Sequence, residues 1–265
     1  MIGIIGGTGL YNVDFFGEAE QVQVTTQFGS VDFWKGRQGT QDILFLPRHG
    51  ANHERLAYEV QHKANLMAFY KMGVTRILAT VAAGGINPNY EVGDMVLLDQ
   101  FIGFHTTMHT YGKYSVDMTE PYCPELRTLL QKTAKTLGYP LHETGTYLSF
   151  DGPRYETAAE IRGFQILGAD MVGMTNGPEA ALARELGICY TTIALITNRA
   201  AGLSSQGPDL KQHSSVSKKN SGKILHIFSE AAQALTSDQS CSCHNHLEKA
   251  LQARKFSSLE SAFNL

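Results

Sequence analysis

Four cysteines in 265 residues are too few to form a disulfide framework in a chain of this size, and Cys123 and Cys189 sit in apolar contexts that suit reduced, buried thiols. Basic charge is not in excess: 22 Lys and Arg against 25 Asp and Glu leave a net charge of −3. The isoelectric point is near 6.4. With its cations scattered, such a chain argues against a nucleic-acid surface and for a small neutral or anionic ligand. No apolar run approaches the length of a bilayer-spanning helix. The opening MIGIIGGTGL lacks the positive segment and cleavage site of a secretory signal, so the expected location is the cytoplasm, with no membrane partner. Internal repeats are missing. GGTG (Gly6 to Gly9) follows an apolar run, yet it has neither the glycine spacing of a dinucleotide fingerprint nor the lysine of a nucleotide P-loop.

What is present is an alternation of apolar runs with helical stretches, and 43% of the residues are hydrophobic. Ile2 to Ile5, Asp42 to Pro47, Arg76 to Ala82, Asp94 to Ile102, Thr146 to Phe150, Asp170 to Met174 and Ile188 to Thr197 read as strands. Several are too uniformly apolar to have a wet face. Tyr58 to Met72, Pro124 to Leu137, Tyr155 to Leu167 and Pro178 to Leu186 read as helices, each stopped by a glycine, and another helix runs from about Ser214 to Ala234. The expected fold is α/β: a single-domain three-layer sandwich with a mixed, largely buried sheet over 1–236. Gly103 to Tyr122 and Leu203 to Gln212 read as loops. Residues 237–265 read as a flexible polar tail with one short helix. Its SCSCHNH segment has thiols and imidazoles spaced too tightly for a tetrahedral metal site, so no metal is expected.

Three glycine-bearing turns each follow an apolar run: Ile2 to Leu10, Ala79 to Ile86, and Met174 to Gly187, where a short alanine-rich helix begins at Gly-Pro. Free backbone N–H groups and the positive end of a helix dipole make such junctions anion cradles. Arg48 and His49 follow DILFLP directly, and His53 comes four residues later. An arginine fork and an imidazole suit an oxyanion. FDGPRYETAAE places Tyr155 and Glu156 where a strand turns into a helix, and Asn198 ends TTIALIT. A ring that can stack, a carboxylate and an amide can together read a flat heterocycle. The assembled expectation is a phosphate pocket (Thr8, Arg48, His49, Thr175 and the Ala82 backbone) beside a heterocycle pocket (Tyr155, Glu156, Asn198).

GGTG, RHG with a following His, AAGG, GPRYET, GMTNGPEAALARELG and ITN occur in this order across about residues 1 to 235. The set resembles the trimeric purine nucleoside phosphorylase and methylthioadenosine phosphorylase family. The resemblance implies phosphate attack on C1′ of a bound nucleoside through an oxocarbenium-like transition state, with inorganic phosphate as co-substrate and no other cofactor. It assigns Thr8, Arg48, His49, Ala82 and Thr175 to phosphate, Met174 to the underside of the ribose and His53 to the sugar. It implies a homotrimer whose Gly103 to Tyr122 loop crosses to a neighbour.

The resemblance also bears on which nucleoside. Methylthioadenosine-selective members carry acidic residues at ITN; this chain has Asn198, with Ala200 at the second acidic position. Asparagine can donate to O6 of a 6-oxopurine and accept from a protonated N7, and Glu156 can accept from N1–H. Both point to inosine or guanosine, with Asn198, Glu156 and His53 as the catalytic set. His213 falls at the sugar 5′ position, which favours a 5′-hydroxyl. The alternatives are a methylthioinosine or methylthioadenosine phosphorylase and, from another class, a purine-binding protein that does not turn over. Val81 stands where relatives have a polar residue, and Ser115 or Tyr114 where a neighbouring subunit covers the sugar.

Overall fold

The computed structural model describes residues 1–7, 18–105, 109–205, 207, 210–236 and 240–263. Thr8 and residues 206, 208 and 209 of the loop before residue 210 lie outside these. Ten strands form one mixed sheet: β1 Ile2–Gly6, β2 Glu20–Thr26, β3 Gly29–Gln38, β4 Gln41–Pro47, β5 Arg76–Gly85, β6 Met95–Leu97, β7 Gln100–Phe104, β8 Thr146–Phe150, β9 Met171–Gly173 and β10 Cys189–Arg199. Among the described residues seven α-helices accompany them, besides a 3-10 turn at Ala57–Glu59: α1 His62–Lys71, α2 Pro124–Thr136, α3 Ala158–Ile166, α4 Asn176–Glu185, α5 Leu210–Ala234, α6 Cys243–Ala253 and α7 Leu259–Ala262.

The strand order is β2-β3-β4-β1-β5-β9-β8-β7, with β10 pairing β5 and β6. β4, β1, β5 and β10 run parallel, so their carboxyl ends share one edge. Alternate residues of these strands feed opposite layers. Ile5, Leu44, Ile77 and Ala79 pack with Leu66 and Phe69 of α1 and Leu182 of α4, while Ile4, Phe45 and Leu78 pack with Leu126 of α2 and Phe228 of α5. A sheet covered on both faces needs no polar alternation, which is why these strands are apolar throughout.

The β2–β3 hairpin was not read from the sequence. Its strands carry many exposed polar residues, and β2 lies at the end of the strand path. Asp94 to Ile102 is two strands rather than one, since β6 pairs β10 and β7 pairs β8. Two helices begin later than expected, α1 at His62 and α3 at Ala158, while α5 begins earlier, at Leu210. Thr157 caps α3, accepting from Glu160 N–H while the Glu160 carboxylate reaches back to Thr157 N–H. Tyr155 and Glu156 therefore precede the helix instead of forming its first turn.

The C-terminal segment packs onto the body. Apolar residues recur at Cys243, Leu247, Ala250 and Leu251 along α6, which gives that helix one face for the core. Leu259 and Ala262 of α7 are buried as well. Between β7 and α2, Tyr111, Tyr114 and Tyr122 are buried in their own chain, and the Glu185 carboxylate accepts from Tyr111 N–H at 2.7 Å. Among the described residues no helix is long and apolar enough to cross a membrane.

Candidate active site

The shared strand edge opens into a cavity of about 300 Å³, within the range of roughly 300–1,000 Å³ typical of small-molecule sites. Nine of the eleven residues singled out from the sequence line it: Arg48, His49, Ala82, Tyr155, Glu156, Met174, Thr175, Asn198 and His213. Thr8 lies outside the described residues. His53 stands just beyond the wall, its ring centroid 4.8 Å from that of His49, in an exposed turn at φ 57°.

One side of the cavity is cationic and tightly held. Arg48 follows β4, and its guanidinium passes against Gly7 beyond β1, where a Cβ would stand 2.8 Å from Nη1. Arg48 Nε donates to Glu179 Oε1 at 2.5 Å, Nη2 to Glu179 Oε2 at 2.9 Å and Nη1 to Thr80 O at 2.8 Å. Of the five guanidinium N–H groups, the two that remain are available to a ligand. Burial alone would lower the pKa of Arg48, but Glu179 beside it holds it above the ordinary arginine value. Burial likewise opposes ionisation of Glu179, and Arg48 outweighs it, keeping the carboxyl below its usual range.

Glu179 was not anticipated. In the sequence it reads as a first-turn acid of α4; in the fold it also accepts from Tyr190 O–H at 2.7 Å. Tyr190 in turn accepts from Asn176 Nδ2 at 2.9 Å, and the Tyr122 hydroxyl donates to Asn176 Oδ1. A fully buried polar chain therefore runs from the cation to the start of α4. Thr175 is the N-cap of α4, and its hydroxyl makes no capping bond, so at the cavity wall it can meet an anion together with the helix dipole.

His49 Nδ1 donates to Arg55 O at 3.0 Å, which leaves Nε2 for a ligand. Burial, then Arg48 and His53, lowers its pKa to about 4. The imidazole is neutral at pH 7.

The opposite side reads a flat edge. A register shift between Ile196 and Asn198 marks a bulge in β10, a device that re-aims a side chain. Asn198 is 7% exposed. Its Nδ2 donates to Arg199 O at 2.9 Å, and the Thr197 hydroxyl lies 3.0 Å from its Oδ1. One N–H and one lone pair remain unused. Glu156 is also buried, and burial raises its carboxyl above the usual value. Between β8 and Tyr155 the chain passes Gly152 at φ +69°, where a Cβ would lie 2.4 Å from Met174 Sδ. Glycine is thus required both by the backbone angle and by the close approach of Met174. His213 Nε2 is buried with no hydrogen-bond partner among the described residues. Val81 is buried in the core and offers no polar group.

This chain belongs to the phosphorylase superfamily. The family model matches residues 1–233. The chain is 41% identical to the 6-oxopurine nucleoside phosphorylase of Pyrococcus furiosus over 261 residues, covering 94% of this chain and 98% of that one. It is 38% identical to the S-methyl-5′-thioadenosine phosphorylase of the same organism over 255 residues, covering 93% and 97%. Among solved structures, methylthioadenosine phosphorylase from Schistosoma mansoni in complex with adenine matches with a TM-score of 0.88 at 27% identity, covering 95% of this chain and 97% of that one.

A second cavity of about 500 Å³ adjoins the first and shares Ala57, Pro153 and Met174 with it. His62, His105, His109 and Asp151 line it, with His105 Nδ1 2.7 Å from Asp151 Oδ1. Tyr114, a candidate to cover a neighbour's sugar, is buried against its own α4, its hydroxyl donating to Glu185 O at 3.2 Å. It is therefore withdrawn from that role, and of the pair Ser115 alone is exposed.

Proposed function

We propose that the protein is a purine nucleoside phosphorylase acting on 6-oxopurine nucleosides, releasing free base and ribose 1-phosphate. The observation that carries this is the pairing of Asn198 and Glu156 in one buried wall. The amide has a spare donor for O6 and a spare acceptor for a protonated N7, and the carboxylate accepts N1–H. Adenine has a 6-amino group that cannot accept from Asn198 and an N1 that cannot donate to Glu156. The 6-oxopurine relatives support the same substrate class.

Phosphate occupies the cationic side, held by the two remaining Arg48 N–H groups, the Thr175 hydroxyl, Thr8 and the Ala82 backbone, while His49 Nε2, which carries no proton when Nδ1 donates to Arg55 O, accepts from a phosphate hydroxyl. The C1′–N9 bond breaks with its electron pair passing to the purine. A phosphate oxygen forms the new C1′–O bond, and a proton from solvent at N7 neutralises the departing base. The protein's contribution is to position the anion and to stabilise the charge arriving at O6 and N7. Met174 packs beneath the ribose and His53 stands near the sugar. The unpartnered Nε2 of His213 supports a bond to a 5′-hydroxyl and disfavours a methylthio group, which would leave it unsatisfied.

The chain acts as a cytoplasmic homotrimer in this reading. The second cavity, which shares Met174 with the first, is where a neighbour's exposed Ser115 and its surroundings would seat. Light scattering that found active monomers alone would remove the shared site. Release of hypoxanthine from inosine in phosphate-free buffer, at the rate seen with phosphate, would make the enzyme a hydrolase and defeat the proposal.

A further inference from the structure

Far from the cavity, Cys123, Cys189, Cys241 and Cys243 converge. All four are buried, and their sulfur atoms lie within 4.8 Å of one another. They come from three separate parts of the chain: Cys123 immediately precedes α2, Cys189 opens β10, and Cys241 and Cys243 arrive on the C-terminal segment. Asn198 lies nine residues beyond Cys189 on the same strand. At ~3.3 Å per residue this puts about 30 Å between the cluster and the purine wall.

We propose that the cluster is a structural metal site, a tetrathiolate for a thiophilic divalent cation of zinc's class, which fastens the C-terminal segment to the sheet. Sulfurs at ~2.3 Å from a tetrahedral zinc lie about 3.8 Å apart. The cluster is already near that spacing, with Cys189 Sγ and Cys241 Sγ 3.3 Å apart.

Cys123 is the N-cap of α2. Cys243 is the first residue of α6, so two of the four sulfurs sit at the positive ends of helices. Arg184, 4% exposed, acts electrostatically on Cys243 and offsets the net negative charge that four thiolates leave around a dication. The approach of the segment is fixed as well: the Glu125 carboxylate accepts from Ser240 N–H at 2.8 Å, Ser240 O–H at 3.0 Å and Cys241 N–H at 3.1 Å.

Loading is an exchange without redox. Each thiol gives its proton to solvent, four metal–sulfur bonds replace the cation's bonds to water, and no oxidation state changes. All four positions are filled by protein sulfur, so no coordination site is open for substrate and the metal's role is structural.

The test is elemental analysis of the full-length protein after incubation with zinc under reducing conditions and removal of free metal. About one tightly held zinc per chain is expected. Cobalt in its place should show thiolate-to-cobalt charge-transfer absorption. The Cys241→Ser/Cys243→Ser variant should retain less than about a tenth of the metal while keeping wild-type phosphorolysis, because the ligands lie at the far end of β10. If that variant does not fold, metal content and the cobalt spectrum of the wild type decide alone. Two outcomes overturn the proposal: wild-type protein with no bound zinc and four reactive thiols, or protein isolated with a mass short of four hydrogens and no alkylatable cysteine, which identifies two disulfides.

Discussion

Replacing Glu179 with Ala leaves a guanidinium uncompensated in the interior. Glu179 is 0% and Arg48 1% exposed, and the carboxylate accepts three hydrogen bonds, two from Arg48 and one from Tyr190. Breaking a buried pair from one side costs about 3–5 kcal/mol. At roughly 2–4 °C per kcal/mol for a chain of this size, the unfolding midpoint should fall by roughly 6–20 °C. The double variant Arg48→Met/Glu179→Leu removes both charges. It should recover much of that loss, since replacing both members of such a pair by packed apolar groups is often close to neutral, yet its phosphate-dependent turnover should remain lost. The pH dependence has a defined sign. The folded-state pKa of Glu179 lies below the ordinary 4.5, so its stabilisation is present above that value and is lost as the pH falls through the depressed one. Thermal unfolding of wild type and both variants, followed from neutral pH down through the depressed Glu179 pKa, tests this. A Glu179→Ala midpoint equal to that of wild type at pH 7, or a double variant no more stable than the single, would refute the view that Glu179 compensates Arg48.

Three further outcomes follow from the site. Asn198→Asp should lower kcat/KM on inosine and raise the rate on adenosine relative to inosine, because the acid changes charge stabilisation at N7; unchanged selectivity removes Asn198 from the base-reading pair. A site built to bond a polar edge rejects the wrong donor pattern by up to about 10⁴–10⁵-fold, so wild type should turn adenosine over poorly. Ionised Glu156 accepts N1–H more strongly than its neutral form, and burial raises its pKa above the usual carboxyl value; activity on inosine should therefore decline on the acid side as the pH falls through that raised value. In Glu156→Gln that limb should vanish along with most of the rate, and a limb that persists unchanged in kcat/KM profiles assigns it to another group.

The strands that build the site were legible because a sheet covered on both faces writes itself as uninterrupted apolar runs. Their ends were marked by glycine turns, and Arg48, Thr175 and Asn198 stand where those turns place them. The β2–β3 hairpin left no such mark, since its exposed faces are polar. The T-x-x-E capping box at Thr157 and Glu160 was present as a pattern and would have moved Glu156 out of the helix. Glu179 is another matter: its partner is 131 residues away, and no local spacing distinguishes an acid that complements a helix dipole from one that holds a buried arginine. The C-terminal segment looked polar because its apolar residues are few, but on α6 they share one face. Cys123 and Cys189 gave no hint of meeting Cys241 and Cys243, a convergence that only the topology creates.

The most direct test compares inosine, 5′-methylthioinosine and adenosine on one purified sample, with and without phosphate, by following free base and ribose 1-phosphate. The account predicts phosphate-dependent release of hypoxanthine from inosine, with slower turnover of methylthioinosine because it cannot bond His213, and little from adenosine. A preference for adenosine would contradict the roles of Asn198 and Glu156, and preference for methylthioinosine would contradict that of His213.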